Sequence, residues 1–203
     1  MLDKETFEEF IHKINRVHQQ FCIWMYTNNE FVKYQEDWDD IASPKIFLTE
    51  EFSKEKGHKY KNFWYVVIST LQQAWILGII RLLDSAYFFS DKKRENPRLS
   101  LYYIIELLDD NGLKQLVEME INKHMPFIES IRKQRHVLAH NSIKPVDDTI
   151  KSGIENLFEG LNNIIIEIKN KNLHLKNCND INMEYTEKLS KCGVEEIFEV
   201  LSK

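Results

Sequence analysis

A chain of 203 residues, 43 % hydrophobic and 29 % charged, is long enough to bury a core and polar enough to stay in water. Its formal net charge of −5 excludes a general nucleic-acid coat, which is basic throughout, so any RNA contact must be local. Six glycines and four prolines are too few for the turns of a sandwich or barrel, and long helices with few connections are expected.

In chain order, Phe7, Phe10, Ile11, Ile14, Val17, His18 and Phe21 recur at helical spacing, with Asp3 or Thr6 as N-cap. This first helix is expected to reach about Tyr26 or somewhat beyond. Residues Asn28 to Gly57 are mixed and read as a helix extension followed by a connection with room for one short helix. From about Lys59 to Phe89 lies the most apolar segment, with Phe63, Trp64, Ile68, Leu71, Trp75, Ile79 and Leu82 on more than one face. A helix so apolar is central to its bundle or shared with a second subunit. Ser90 to Pro97 is a charged loop, Ser100 to Leu108 a short helix and Asp109 to Gly112 a turn.

A long helix is expected from about Leu113 to Ala139. Pro126, which cannot continue the hydrogen-bond ladder, marks within it either a first turn or a kink. Val146 to Asn172 repeats the helical pattern through Ile150, Ile154, Leu157, Leu161, Ile164, Ile165 and Ile168. A polar linker then leads to an amphipathic helix from Met183 to Leu201. The fold class is therefore all-α: a bundle of four or more core helices over residues 1–175, with residues 176–203 an accessory C-terminal helix packed on the same domain.

The chemistry concentrates between Ser130 and Val146. The ionisable residues there are Arg132, Lys133, Arg135, His136, His140 and Lys144, with no carboxylate among them. Such a patch suits a phosphate backbone, although cations at a helix end also complement the helix dipole. Histidine exchanges protons near neutrality, and arginine stays charged and grips two phosphate oxygens with its planar fork. One of each suffices to cleave RNA through its own 2′-hydroxyl, with no metal or other cofactor. On a continuous helix Arg135 and His140 stand about 140° apart and about 7.5 Å along the axis. Either the chain turns His140 back, or two subunits share one cleft. His136 and His140, at i and i+4, also have the spacing of two metal ligands, but no HExxH or cysteine partner accompanies them.

The string Arg135-His-Val-Leu-Ala-His140 resembles the R-x-x-x-x-H motif of the HEPN superfamily, with the usual polar residue, His136, after the arginine. Gly78-Ile-Ile-Arg-Leu-Leu-Asp84 is similar to the arginine- and aspartate-bearing helix of abortive-infection, AbiU-type HEPN proteins. It precedes a loop, a leucine-rich helix and the basic motif in the same order. This likeness spans roughly residues 5 to 170. It implies a HEPN-like bundle, dimerised so that two motifs face one cleft, and a metal-independent endoribonuclease of phage-defence or toxin type. Arg135 and His140 would be catalytic with His136 assisting, and Arg132, Lys133, Asn141 and Lys144 would hold the substrate. The partners implied are RNA, a second copy and an antitoxin protein. Toxins of this kind that are modified on a tyrosine carry it where Ser142 stands here, so that route has no counterpart. The family also has non-catalytic members, and the alternative is a module that binds RNA or protein through the same cleft.

Arg81, set among apolar neighbours, is expected to pair with Asp84 at i+3 and border the cleft. His12, His18, His58, His124 and His174 read as ordinary histidines, and Cys22 as a small core residue. Cys22, Cys178 and Cys192 have the wide spacing of reduced thiols. There is no Walker loop and no GxGxxG. The start of the chain lacks the pattern of a secretory signal, and the longest apolar run, Ala74 to Ile80, is too short to span a bilayer. A cytoplasmic protein with no membrane contact is expected.

Overall fold

The computed structural model describes residues 1–39, 56–84, 97–138 and 148–201, with side chains for 1–30, 66–84, 97–133 and 149–200. Among them the chain is all helical: α1 (Lys4–Asp39), α2 (Lys56–Leu82), α3 (Leu101–Leu107), α4 (Asn111–Lys123), α5 (Met125–Leu138), α6 (Asp148–Lys171) and α7 (Met183–Leu201), with a 3-10 turn at Leu173–Leu175. None of these helices is long and apolar enough to cross a membrane.

Helix α1 starts where its capping residue predicts. Asp3 Oδ1 accepts from the Thr6 backbone N–H at 2.8 Å, and that bond holds the Asp3 carboxyl below its usual range. The helix runs well past Tyr26, because no glycine or proline interrupts residues 4 to 39. Its side chains face two partners. Phe21 and Trp24 meet Trp75 of α2, with ring centroids 5.5 and 5.2 Å apart. On another face, Asn15, His18 and Tyr26 bond to residues of α7 and the segment leading into it. Both tryptophans are fully buried and belong to the core.

Helix α2 ends seven residues before the expected Phe89. Leu83 and Asp84 bend away, and tertiary partners take over their polar groups, as described below. Ser100 caps α3, its hydroxyl accepting from the Tyr103 N–H at 3.4 Å. The expected turn at Asp109 to Gly112 is instead a helix start: Asp110 accepts from the N–H groups of Gly112 and Leu113, so α4 begins at Asn111. His124 is the one-residue joint between α4 and α5. Pro126 falls in the first turn of α5, where its missing N–H has no partner to lose.

The α4–α5 joint lies against α6, whose Ile154, Leu157, Phe158, Leu161, Ile164, Ile165 and Ile168 are all buried. Two glycines make room for it. A Cβ at Gly160 would strike the His124 ring, and one at Gly153 the Phe127 ring. After α6 the polar stretch is pinned rather than loose: Lys169 Nζ donates to the Cys178 carbonyl at 2.7 Å and meets the Asp180 carboxylate at 2.6 Å. Leu175, Cys178 and Ile181 are buried. The Asn182 N–H donates to Asn15 Oδ1 at 3.0 Å, which delivers α7 onto α1.

Candidate phosphate-binding site

Helix α5 carries the basic stretch, and Ile128 and Ile131 fix its orientation by facing the core. Arg132, next to Ile131, is half-buried and reaches across to α2. Its Nη2 donates to the Leu83 carbonyl at 3.3 Å. That carbonyl belongs to the end of α2, where the Leu83 N–H still closes on Ile79 and Ile80. The last carbonyls of a helix lack partners within it and carry its negative dipole end, so a guanidinium fits there twice over.

Three more cations gather around the same helix end. Arg81 occupies the last turn of α2 and is exposed. Arg98, just before α3, donates through Nη1 to Asp84 Oδ2 at 2.9 Å. Lys13 of α1 donates from Nζ to the Leu99 carbonyl at 2.6 Å. Burial first, then repulsion by Arg98 and Arg81 against the attraction of Glu9, holds the Lys13 ammonium below the usual lysine range. Among the described residues, Lys13, Arg81 and Arg98 thus act on one another at the end of α2 that Arg132 also reaches, and Asp84 and Glu9 are carboxylates seen to act on them. In a chain of net charge −5 this is a local positive excess.

The expected helical i, i+3 geometry of Arg81 and Asp84 is not what the described residues show: the Asp84 carboxylate accepts from Arg98. The expectation presumed that both residues share a helix, but α2 ends at Leu82 and the bend carries Asp84 to Arg98. Arg132, expected to hold substrate, spends at least one of its five donors on the fold, while Lys133 is exposed. The backbones of Arg135 and His136 lie in α5; their side chains, and His140, Asn141 and Lys144 altogether, are outside the described residues.

Lys13 and Arg98 escaped the reading of the sequence. Lys13 borders the stripe of Phe10, Ile11, Ile14 and Val17, a weak signal for a half-buried cation. Nothing near Arg98 announces a partner fourteen residues upstream. Among the described residues no three His, Cys, Asp or Glu side chains converge as metal ligands do. Cys22 is a core thiol, its pKa pushed up to about 12 by burial first and the charges of Glu187 and Glu155 next.

Comparison with known protein families, curated proteins and solved structures finds no match.

Proposed function

We propose that the protein is a metal-independent endoribonuclease of the HEPN type, acting in the cytoplasm on RNA at a cleft between two copies, with an antitoxin protein as its restraint. What carries this reading is the Arg132–Leu83 contact. It brings Arg132, one turn before Arg135 on α5, to the end of α2 where Lys13, Arg81 and Arg98 lie. A phosphodiester strand entering the motif then meets a second set of cations alongside, which is what a chain of phosphates needs.

The reaction uses a nucleophile that the substrate already holds. His140 takes the proton of a ribose 2′-hydroxyl, and the oxygen attacks the adjacent phosphorus. Negative charge on the phosphorane is met by the Arg135 guanidinium, with His136 orienting the group. The bond to the 5′-oxygen breaks as the protonated imidazole gives its proton to that oxygen, leaving a 2′,3′-cyclic phosphate and a 5′-hydroxyl. Lys133, Asn141 and Lys144 hold flanking phosphates, while Arg132 both braces α2 and adds charge.

The test is cleavage of single-stranded RNA by the purified chain in EDTA. Arg135→Ala and His140→Ala are each expected to lower the rate ~100- to 10,000-fold, the range of general acid–base and oxyanion-type contributions. A deoxyribose at the cleaved position should abolish the reaction. RNA binding with no cleavage would support the second reading, a non-catalytic RNA-binding module, which the Lys13–Arg81–Arg98 cluster favours because its cations bind phosphate without needing the motif. Absence of both binding and cleavage would remove RNA from the account.

A further inference from the structure

Asp84 stands where an aspartate gains least from its own helix. It follows the last turn of α2, at the negative end of the helix dipole, and its neighbour Leu83 still closes N–H bonds on Ile79 and Ile80. A carboxylate is repelled by such a helix end, so a charge from elsewhere must hold it. Arg98 supplies that charge. Its Nη1 donates to Asp84 Oδ2 at 2.9 Å, from fourteen residues further along the chain.

The pair is placed to be exchanged. Neither side chain is sealed from water: Asp84 keeps 43 % of its side-chain surface and Arg98 28 %. An ion pair that water reaches adds little to stability, and dissolved anions compete for it. A phosphate offers a guanidinium two parallel bonds, where the contact with Asp84 joins one nitrogen to one oxygen.

The neighbours of Arg98 favour a phosphate further. Arg81 ends α2, and Arg132 reaches the same helix end through the Leu83 carbonyl. The Lys13 ammonium is held below its usual range by burial first and by Arg98 next, so the Arg98 charge reaches Lys13 even with Asp84 bound to it. A phosphate beside Arg98 adds the attraction of these cations to that of Arg98 itself. Asp84 has the helix end against it.

We infer that Asp84 is a built-in stand-in for phosphate: its carboxylate occupies the Arg98 guanidinium until a phosphate takes its place, and so restrains binding at this junction. The inference deepens the reading of the junction as an RNA contact, and rests on that reading for whose phosphate it is. Removing the carboxylate should strengthen binding, whereas loss of an ordinary structural ion pair would weaken it or leave it unchanged.

Two probes keep the readings apart: tripolyphosphate, and a labelled single-stranded RNA, each titrated against the full-length protein. Asp84→Asn keeps an acceptor oxygen and removes the charge. It should tighten both probes by roughly tenfold, the worth of one charge-assisted hydrogen bond. For RNA it should also steepen the slope of log K against log salt by about 0.7, one more phosphate contact. In an Arg98→Gln background the same change should gain less than about twofold, which shows that the gain runs through Arg98. Glu9→Gln removes the exposed carboxylate that acts on Lys13 and should leave the salt slope unchanged, which separates exchange at Arg98 from a general loss of negative charge. Thermal midpoints should not rise in Asp84→Asn, so tighter binding cannot come from a firmer fold. The inference is overturned if Asp84→Asn binds neither probe more tightly, gains as much without Arg98, or is matched in affinity and slope by Glu9→Gln. Tighter tripolyphosphate with no RNA bound by either protein would keep the exchange and remove RNA as its source.

Discussion

Arg132 of α5 donates to the carbonyl of Leu83 at the end of α2, 3.3 Å away and partly shielded from water. One side chain of the basic stretch thereby fixes where that stretch lies. Because the bond is charge-assisted but long and half-exposed, its net worth is about 1 kcal/mol. Arg132→Ala should lower stability in urea by that amount, and Arg132→Lys should recover only part, since an ammonium lacks the planar fork. Unchanged unfolding midpoints would mean that Arg132 is free to serve substrate alone.

Arg81 makes the complementary case. It is exposed in the last turn of α2, while Asp84 is paired with Arg98, and it lies close enough to Lys13 to depress the lysine's proton affinity. Arg81→Ala should therefore leave the thermal midpoint unchanged while weakening RNA. Each phosphate contact to single-stranded RNA contributes about 0.7 to the slope of log K against log salt. Anisotropy titrations with a labelled oligonucleotide at several salt concentrations should show the slope fall by about that much. An unaltered slope would remove Arg81 from the RNA path.

The helices were legible in the sequence to the extent that their signals are local. Asp3, Ser100 and Pro126 act through bonds within one turn, and each lies at a helix start. The apolar residues of α6 showed its inner face directly. Where the reading went astray, a distant partner decided the outcome. Asp84 left α2 for Arg98, and the Leu83 carbonyl went to Arg132; neither Arg98 nor Lys13 has a neighbour in sequence that marks it. Of the candidate site, the charge of the basic stretch and the helical placement of its part up to Leu138 could be read in advance. The company it keeps at the end of α2 could not, because that depends on how α1, α2 and α5 meet.

The α4–α5 joint offers a test of packing. His124 and Phe127 occupy the space beside Gly160 and Gly153 of α6, and His124 Nε2 is buried there with Glu120 Oε1 3.9 Å away. Alanine ordinarily stabilises a helix relative to glycine by about 1 kcal/mol. At Gly160 the new methyl must displace the half-buried His124 ring, and overpacking of this kind costs about 1–3 kcal/mol. Gly160→Ala should thus lower the thermal midpoint despite its better propensity. A rise would show that the joint yields easily and that α4 and α5 are loosely seated on α6.

His18 ties acid stability to the seat of α7. Its ring is buried edge-on against Phe158, with centroids 4.8 Å apart, and Nδ1 lies 2.6 Å from Thr186 Oγ1. The Thr186 hydroxyl has acceptors behind it at the Asn182 and Met183 carbonyls, which assigns Nδ1–H as the donor and leaves Nε2 as an acceptor for the Cys22 thiol. The nearest other groups are the Cys22 thiol, 3.8 Å from both ring nitrogens, and the more distant Glu187 carboxylate, which also accepts from Tyr26. Burial outweighs the attraction of Glu187 and pushes the His18 pKa down to about 4 from 6.5. The unfolded chain therefore takes up this proton first. The contribution of His18 is whole above pH 6.5, declines as pH falls below it, and is exhausted near pH 4, amounting to about 3 kcal/mol at most. Thermal midpoints measured from pH 7.5 down to 4.5 should fall with that slope in the wild type. His18→Gln, which cannot titrate, should flatten the curve whatever it does to the midpoint at pH 7.5. Thr186→Val should lower the whole curve but keep its slope, since it removes a hydrogen-bond partner and not the burial that sets the proton affinity. If His18→Gln retains the wild-type slope, the acid sensitivity belongs to other groups and the neutral ring is only packing.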